Sequence, residues 1–233
     1  MARCDYSGAC AARANYSGRG ASKDQTQFDW QDKIALITQG HSIALHWACD
    51  KEWPDCPDKD GLAKIAWQKD LNCPETSAAG RLFDAAAALI CEVPFTSFEA
   101  QGPMMLEALC EKGVRGMDLP LTKDKDGTWR SDWAPLLDVI CDRTRGKAAR
   151  ADIFHSSFAR AMLQQAQAIR AEHSVDRVGL CGGVFQNRVL AEQATSLLEE
   201  EGFRVYLPGA LPCNDAALSF GQAAEVAARG LNG

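Results

Sequence analysis

The sequence predicts a helix-rich α/β fold with a mainly parallel sheet flanked by helices. Near the C-terminus, apolar strand-like runs at Asp176–Cys181 and Phe203–Leu207 are separated by a helical segment, Arg188–Glu201. A last helical segment, Ala216–Arg229, follows them. Strands joined by a helix usually pair in parallel and need helices on their faces, so this order favours a covered parallel sheet, with Asp176–Cys181 buried. Most of the remaining chain also has the apolar spacing of helices.

The N-terminal arm, residues 1–32, is rich in Gly, Ser, Ala and Arg and has no sustained periodicity. We expect it to be partly disordered or to form an adapted terminus, and we expect residues 33–233 to fold. The helices predicted in the first part of that region are Ile34–Cys49, Leu62–Leu71, Ala79–Cys91 and Phe98–Lys112. The hydroxyl of Thr76 or Ser77 is expected to cap the third of these helices, and Pro94 to end it.

A β-hairpin is predicted within Gly116–Trp133, because Asp126-Gly127 is a strong turn signal between two extended segments. Three further elements complete the order. The first is a helix over Trp133–Arg143, capped by Asp132. The second is a solvated basic loop that carries Arg143, Arg145, Lys147 and Arg150. The third is a long helix from Asp152 to about His173.

Composition and charge exclude several classes of protein. The 233 residues are 46% hydrophobic and 24% charged, and the net charge of −6 disfavours a general nucleic-acid binder. No apolar run is long enough to span a membrane, and the first twenty or so residues lack the apolar region of a secretory signal. The 10 cysteines do not have zinc-ligand spacing, so we expect mostly reduced, mostly buried thiols in a cytoplasmic protein.

Two polar clusters follow the two predicted C-terminal strands. Gly182, Gly183 and Asn187 come after the first strand, and Asn214 and Asp215 come shortly after the second. If the strands are parallel neighbours, both clusters lie at one edge of the sheet, where ligands of α/β proteins bind. The glycines let backbone N–H groups approach a ligand, the next helix offers its N-terminus to an anion, and Asn187 could read a base edge. Asp215 is a candidate for a divalent metal or a ribose hydroxyl.

A third cluster lies at the start of the Ala79–Cys91 helix. Ser77 and Gly80 are small residues that permit close approach of a ligand, and Arg81 could meet a phosphate. The alternative is a capped helix in which Arg81 forms a salt bridge.

The histidines do not form a metal pair, because His41 and His46 are five residues apart and do not share a helix face. The sequence also has no phosphate-binding loop of the GxxxxGK[ST] type and no GxSxG nucleophile motif.

Four segments taken together resemble the C-terminal part of the hydrogenase maturation carbamoyltransferases, the HypF family. The resemblance runs in order from about residue 70 to the C-terminus. The segments are Thr76–Ala85 (TSAAGRLFDA), Phe98–Glu107 (FEAQGPMMLE), Cys181–Asn187 (CGGVFQN) and Pro212–Asp215 (PCND).

This resemblance implies a fold, an activity and a set of site residues. The fold would be the C-terminal lobe of an actin-like (RNase H-like) domain, related to the threonylcarbamoyl-transfer enzymes, and the lobe would occupy residues 33–233. The activity would be transfer of a carbamoyl group from carbamoyl-adenylate to the C-terminal cysteine of the partner HypE. Of the residues, Gly182, Gly183, Asn187 and Asn214 would match nucleotide-binding positions, with Ser77 and Gly80 at the ribose or phosphate edge. The cofactors would be ATP or carbamoyl-adenylate, with Asp215 as the ligand of a divalent metal.

The chain departs from the family pattern in several places, one of which is Cys91-Glu92 where the family has Gly-Leu after the Ala79 helix. Ala216-Ala217 replaces two glycines after Asn-Asp, and the HxxxH metal pair of the first actin-like lobe has no counterpart. We therefore expect a lobe that acts together with a missing N-terminal lobe or with HypE, and that self-associates through an exposed apolar face. The alternatives are an inactive partner-binding or dimerisation module and a carbamoyltransferase that acts on a small-molecule hydroxyl.

Overall fold

The computed structural model describes residues 69, 78–93, 96–111, 114–125 and 127–230. In chain order its elements are α1 (Ala79–Cys91), α2 (Gln101–Ala108), β1 (Leu121–Lys123), β2 (Trp129–Ser131), α3 (Leu136–Cys141), α4 (Lys147–His173), β3 (Arg177–Gly179), a 3₁₀ turn (Gly183–Gln186), α5 (Arg188–Glu200), β4 (Arg204–Tyr206), a second 3₁₀ turn (Asp215–Ala217) and α6 (Leu218–Gly230). The predicted helices Ile34–Cys49 and Leu62–Leu71, the N-terminal arm and Pro94 lie outside these ranges, apart from the single residue Lys69.

The described part of the chain is helix-rich, with two small sheets of two strands each. The pair β1–β2 is the predicted antiparallel hairpin, and Gly127 at its bend has a φ of 84°. The pair β3–β4 is parallel, with Val178 opposite Val205, as the order of elements predicted. A larger parallel sheet is not present among the described residues, and β3 is exposed at Arg177 and Gly179 rather than buried.

The hydrophobic core draws on the helices α1 to α5, and its aromatic cluster lies between α1 and the long helix α4. Phe83 of α1 is 1% exposed, and its ring meets Phe154 and Phe158 of α4 edge-on, at centroid distances of 4.9 and 5.3 Å. Edge-to-face geometry directs the positive ring edge at a negative ring face, which adds to the gain from burial. This cluster packs α4 against α1, and it includes ring contacts to His155, the α4 side chain that reaches the site.

Several predicted boundaries were wrong because local signals were overridden. Helix α1 begins at Ala79 as predicted, and its N-cap position is held by Ala78, whose side chain has no oxygen; Thr76 and Ser77, the predicted caps, lie outside the described residues. Helix α2 begins at Gln101 rather than Phe98, after Ala100 in the left-handed region, and ends at Ala108 rather than Lys112. Helix α6 begins at Leu218, since Asp215–Ala217 form a 3₁₀ turn instead of its first turn.

Helix α4 begins at Lys147 rather than at Asp152, because the basic segment before Asp152 is helical and partly buried. Arg150 is 4% exposed, and its guanidinium donates to the carbonyl of Ile140 at 2.9 Å, so it is not part of a solvated loop. Lys147 pairs with Glu92 at 2.9 Å. The helix before this segment is also shorter than predicted, since Leu136–Cys141 replaces Trp133–Arg143 and the Asp132 carboxylate accepts from Ala134 in a turn that precedes it.

The described cysteines are less buried than predicted. Cys91, Cys110 and Cys213 are free thiols of intermediate exposure, and Cys181 is a free, exposed thiol. Cys141 is disulfide-bonded.

Candidate functional site

The two polar clusters that follow β3 and β4 are in contact, as the sequence predicted for parallel neighbours. The pairing of β3 and β4 continues past the strands, because the N–H of Leu180 donates to the carbonyl of Tyr206 at 2.9 Å. The N–H of Gly182 then donates to the carbonyl of Cys213 at 2.6 Å. We call residues 181–187 the glycine turn and residues 213–217 the Asn-Asp turn. Together they form the candidate site at the carboxyl ends of the parallel strands.

The two glycines of the glycine turn have different structural roles. Gly182 has φ 111° and ψ 154°, a conformation that is essentially restricted to glycine. Gly183 has no such requirement, and a Cβ added to it would lie 3.9 Å from the Cβ of Asn214, which is an ordinary contact. The N–H groups of Gly183 and Val184 have no acceptor within the described ranges. Gly182 therefore determines the backbone path of the turn, and the N–H groups of Gly183 and Val184 are open to a ligand.

Asn187 is buried, and both of its amide atoms bond within the protein. Its Oδ1 accepts from the N–H of Leu190 at 2.9 Å, which makes Asn187 the N-cap of α5. Its Nδ2 therefore faces His155, and Nδ2 and the His155 Nε2 are 2.9 Å apart. With 8% of its surface exposed, Asn187 holds the end of the glycine turn in place. Reading of a base edge by Asn187 remains a prediction.

His155 is fully buried, and its hydrogen bonds define its tautomer. Its Nδ1 lies 2.9 Å from the carbonyl of Ala151, which can only accept, so Nδ1 carries the proton and Nε2 accepts from Asn187. The Sγ of Cys110 lies 3.2 Å from the same Nδ1. Burial lowers the pKa of His155 below its ordinary value, which favours this neutral form. Burial also raises the pKa of the Cys110 thiol, to about 12.

The N-terminus of α5 is occupied by a carboxylate from α2. Oε1 of Glu107 accepts from the N–H groups of Arg188 at 2.8 Å and Val189 at 3.3 Å, while Asn187 takes the next N–H, that of Leu190. The expectation that this helix offers its N-terminus to an anion is therefore wrong, because the carboxylate of Glu107 already satisfies it. An anionic ligand is left with the open N–H groups of the glycine turn.

The Asn-Asp turn places one amide and one carboxylate beside the glycine turn. Oδ1 of Asn214 accepts from the N–H of Ala216 at 3.1 Å and caps the short 3₁₀ turn, and Asp215 is exposed. Within the described ranges, no group of three His, Cys, Asp or Glu side chains is placed to hold a metal ion. The described residues thus offer a metal only the single carboxylate of Asp215, which does not by itself fit a protein-built metal site.

The third predicted cluster is partly described. Ser77 lies outside the described residues, and Gly80 is the second residue of α1 with open space where a Cβ would stand. Arg81 makes a salt bridge with Asp84 at 3.0 Å, the alternative expected from the sequence. Burial raises the pKa of Asp84 despite the nearby guanidinium of Arg81. Helix α1 approaches the glycine turn through Phe83, whose ring lies 5.3 Å from that of His155.

Sequence reasoning missed two residues that hold this site together, His155 and Glu107. His155 belongs to no motif, and its position on an apolar helix face is the signal in the sequence that indicates burial. Glu107 is 81 residues from Arg188, and no local pattern connects them.

Exposed apolar side chains lie beyond the site at the C-terminal end of the described chain. On α6, Leu218 is 63% exposed, Phe220 57% and Val226 70%. Tyr206 at the end of β4 is 49% exposed. Among the described residues, no helix has the length and apolar character needed to cross a membrane.

The fold and the site define a helix-rich α/β domain with polar turns at the carboxyl ends of a parallel strand pair. Residues 18–222 match the sequence profile of the family described as carbamoyltransferase, Kae1-like domain, second subdomain. The chain belongs to this family, the C-terminal subdomain of HypF proteins, as its motifs indicated.

Individual relatives agree with this assignment. The chain is 35% identical over 170 residues to a carbamoyltransferase HypF homolog of Cupriavidus necator, covering 70% of this chain and 43% of the relative. It is 34% identical over 208 residues to carbamoyltransferase HypF of Rhodobacter capsulatus, and the match covers 88% of this chain and 26% of the relative. The chain thus spans less than half the length of either relative.

Two solved structures are similar to this chain. A crystal structure of full-length HypF in the phosphate- and nucleotide-bound form superposes with a TM-score of 0.72 at 27% identity, covering 83% of this chain and 31% of that one. The structure of T. kodakarensis HypF has a TM-score of 0.63 at 20% identity and covers 91% of this chain and 29% of that one. At this identity it supports the fold alone.

Proposed function

We propose that this chain forms the nucleotide-binding wall of a HypF-type carbamoyltransferase domain with an actin-like fold. The observation that carries the proposal is the joined pair of turns beyond β3 and β4. The bond between Gly182 and Cys213 holds the turns together and leaves the N–H groups of Gly183 and Val184 open. Open N–H donors beside a small residue suit a phosphate or ribose oxygen, because no Cβ blocks the approach.

The relatives support a nucleotide and a carbamoyl group as the ligands of this domain. The curated relatives are carbamoyltransferases, and one similar structure contains phosphate and a nucleotide. The proposed donor is carbamoyl-adenylate and the proposed acceptor is the C-terminal cysteine of a HypE-like protein. A thiolate would attack the carbamoyl carbon, forming a C–S bond while the C–O bond to AMP breaks. The role of this chain would be to hold the adenylate through the two turns.

A divalent metal would enter this site with the nucleotide. The carboxylate of Asp215 would supply one oxygen ligand, and the other ligands would come from phosphate oxygens and water, the coordination typical of Mg²⁺. In such a site, Asn214 would keep Asp215 in place through its cap of the 3₁₀ turn. Gly80, with open space around it, would border the ribose or phosphate edge.

The proposed partners are the remaining lobe of a HypF-type protein and a HypE-like acceptor. Helix α6 supports the first of these, because none of its residues is buried against the described part of the chain and it exposes Leu218, Phe220 and Val226. In the absence of that lobe, the same residues would promote self-association. Sedimentation at rising protein concentration tests this, and a monomer at all concentrations contradicts it.

Calorimetric titration with ATP and Mg²⁺ tests nucleotide binding. We expect a sub-millimolar Kd for the unchanged chain, and we expect Gly183→Ala to weaken binding about tenfold, equivalent to about 1.4 kcal/mol. Gly179→Ala in β3 is the matched control, since a Cβ there meets open space, a Cβ at Gly183 makes only an ordinary contact with Asn214, and Gly179 does not border the open N–H groups. Gly183→Ala is a sharper test than Asn187→Ala, because Asn187 also stabilises the fold.

Three results would contradict the proposal. Equal ATP affinities of the Gly183→Ala and Gly179→Ala variants would exclude the glycine turn as the contact. No ATP binding together with a stable HypE complex would indicate a partner-binding module instead. Turnover of carbamoyl phosphate with a small hydroxyl acceptor and no partner protein would indicate a small-molecule O-carbamoyltransferase.

A further inference from the structure

Two free thiols flank the hydrogen bond that joins the two turns of the candidate site. Cys181 directly precedes Gly182 and is exposed, and Cys213 provides the carbonyl that accepts from the Gly182 N–H at 2.6 Å. Cys213 is half-buried and packs against the edge of the hydrophobic core. Neither thiol has a part in the proposed binding of nucleotide.

The shared hydrogen bond fixes how far apart these cysteines can be. The Cα of Cys181 is two covalent bonds from the donor nitrogen, and the Cα of Cys213 is two bonds from the acceptor oxygen. With standard peptide dimensions and an N···O distance of 2.6 Å, the two Cα atoms stand about 6 Å apart. Disulfides bridge Cα atoms at about 4.4 to 6.8 Å, so this separation lies within the range that a disulfide spans.

We propose that Cys181 and Cys213 are a reversible redox pair that forms a disulfide across the candidate site. Hydrogen peroxide is the oxidant class. The exposed Cys181 thiolate attacks one peroxide oxygen, giving a sulfenic acid and one water. The Cys213 thiol then attacks the sulfenic sulfur, forming the S–S bond and releasing a second water. Two thiols and one peroxide thus give one disulfide and two waters, and an external dithiol restores the reduced pair.

The disulfide would lock the glycine turn to the Asn-Asp turn. In the reduced protein these turns are joined at this point by one backbone hydrogen bond, so they can separate to admit a ligand. The covalent bridge removes that freedom and orders Gly183 and Asn214 at a fixed separation. We therefore expect the oxidised chain to bind ATP several-fold more weakly. This effect rests on the proposed function, whereas formation of the bond does not.

The other cysteines in the described part of the chain are less suited to the same reaction. Burial raises the pKa of the Cys91 thiol and of the Cys110 thiol, so each has a smaller thiolate fraction than an ordinary thiol at neutral pH. Cys141 is already disulfide-bonded. Cys91→Ser is therefore a matched control for serine substitution at the proposed pair.

The spacing of Lys and Arg residues makes the bond directly detectable. Trypsin cleavage after Arg177, Arg188, Arg204 and Arg229 releases residues 178–188 and 205–229, and each peptide contains one cysteine. The experiment treats the reduced full chain with hydrogen peroxide, blocks free thiols at low pH and analyses the unreduced digest by mass spectrometry. A parallel sample is oxidised in urea.

The expected result is a dominant cross-link between these two peptides in the folded chain, lost after dithiothreitol and in urea. It is retained in Cys91→Ser and absent from Cys181→Ser and Cys213→Ser. Two results would overturn the proposal. One is oxidation of Cys181 only to sulfinic acid. The other is a cross-link between the two peptides that is no more frequent in the folded chain than in urea. If the cross-link forms but ATP does not bind even to the reduced chain, the redox pair stands and the proposed function fails.

Discussion

Replacement of Asn187 by alanine tests whether the buried hydrogen bonds of the glycine turn stabilise the domain. The change removes the cap on the Leu190 N–H and leaves the Nε2 of His155 without its donor. Loss of an Asn cap costs about 1 kcal/mol. An unsatisfied buried acceptor costs a further 1 to 3 kcal/mol or so. The expected loss is therefore about 3 kcal/mol of unfolding free energy.

For a domain of this size, that loss lowers the thermal midpoint by about 6 to 12 °C. The assay is unfolding followed by circular dichroism, with urea titration to obtain the free energy. Asn214→Ala is a matched control, since Asn214 also caps a turn but is half-exposed, with a single bond to Ala216. We expect it to cost about 1 kcal/mol. Equal losses for the two variants would refute the reasoning, because the bond from Asn187 to His155 would then contribute nothing.

Three further predictions concern the same region and its supports. Burial lowers the pKa of His155 below 6.5, so near and below that pH the histidine is protonated more readily in the unfolded chain than in the folded chain. Stability should therefore fall as pH drops below about 6.5, and less so in His155→Gln; equal pH profiles of unfolding would contradict this. Gly116→Ala should cost about 3 kcal/mol or more, because its Cβ would lie 2.2 Å from a backbone nitrogen of α4. Gly80→Ala should stay folded, and equal melting temperatures of the Gly116→Ala and Gly80→Ala variants by circular dichroism would contradict this prediction. Gly182→Ala should cost about 1 to 3 kcal/mol through backbone strain, and equal urea midpoints with Gly183→Ala would contradict it.

The parts of the fold that the sequence predicted depend on local patterns. The β3–α5–β4 order follows from short apolar runs around a helical segment, and the antiparallel hairpin follows from Asp126-Gly127. The contact between the glycine turn and the Asn-Asp turn follows once the strands are parallel. These features need no knowledge of how distant elements pack.

The features that the sequence did not predict depend on packing between distant elements. His155 bonds to Asn187 only because α4 packs beside α5, and these residues are 32 positions apart. Glu107 reaches the N-terminus of α5 only because of where α2 lies. A solvated loop was predicted for Arg150, but this residue lies in α4, and its guanidinium is buried where it donates to the carbonyl of Ile140. A pattern of single residues carries no information about such pairings.

Hydrogen–deuterium exchange with and without ATP and Mg²⁺ tests the central claim most directly. The claim is that the open N–H groups of the glycine turn contact the nucleotide. It predicts slower exchange on ATP addition at Gly183 and Val184, and within residues 213–217, since these amides lie at the proposed contact. It predicts little change in the β1–β2 hairpin. Protection elsewhere, with unchanged exchange at Gly183 and Val184 under saturating ATP, would contradict the claim.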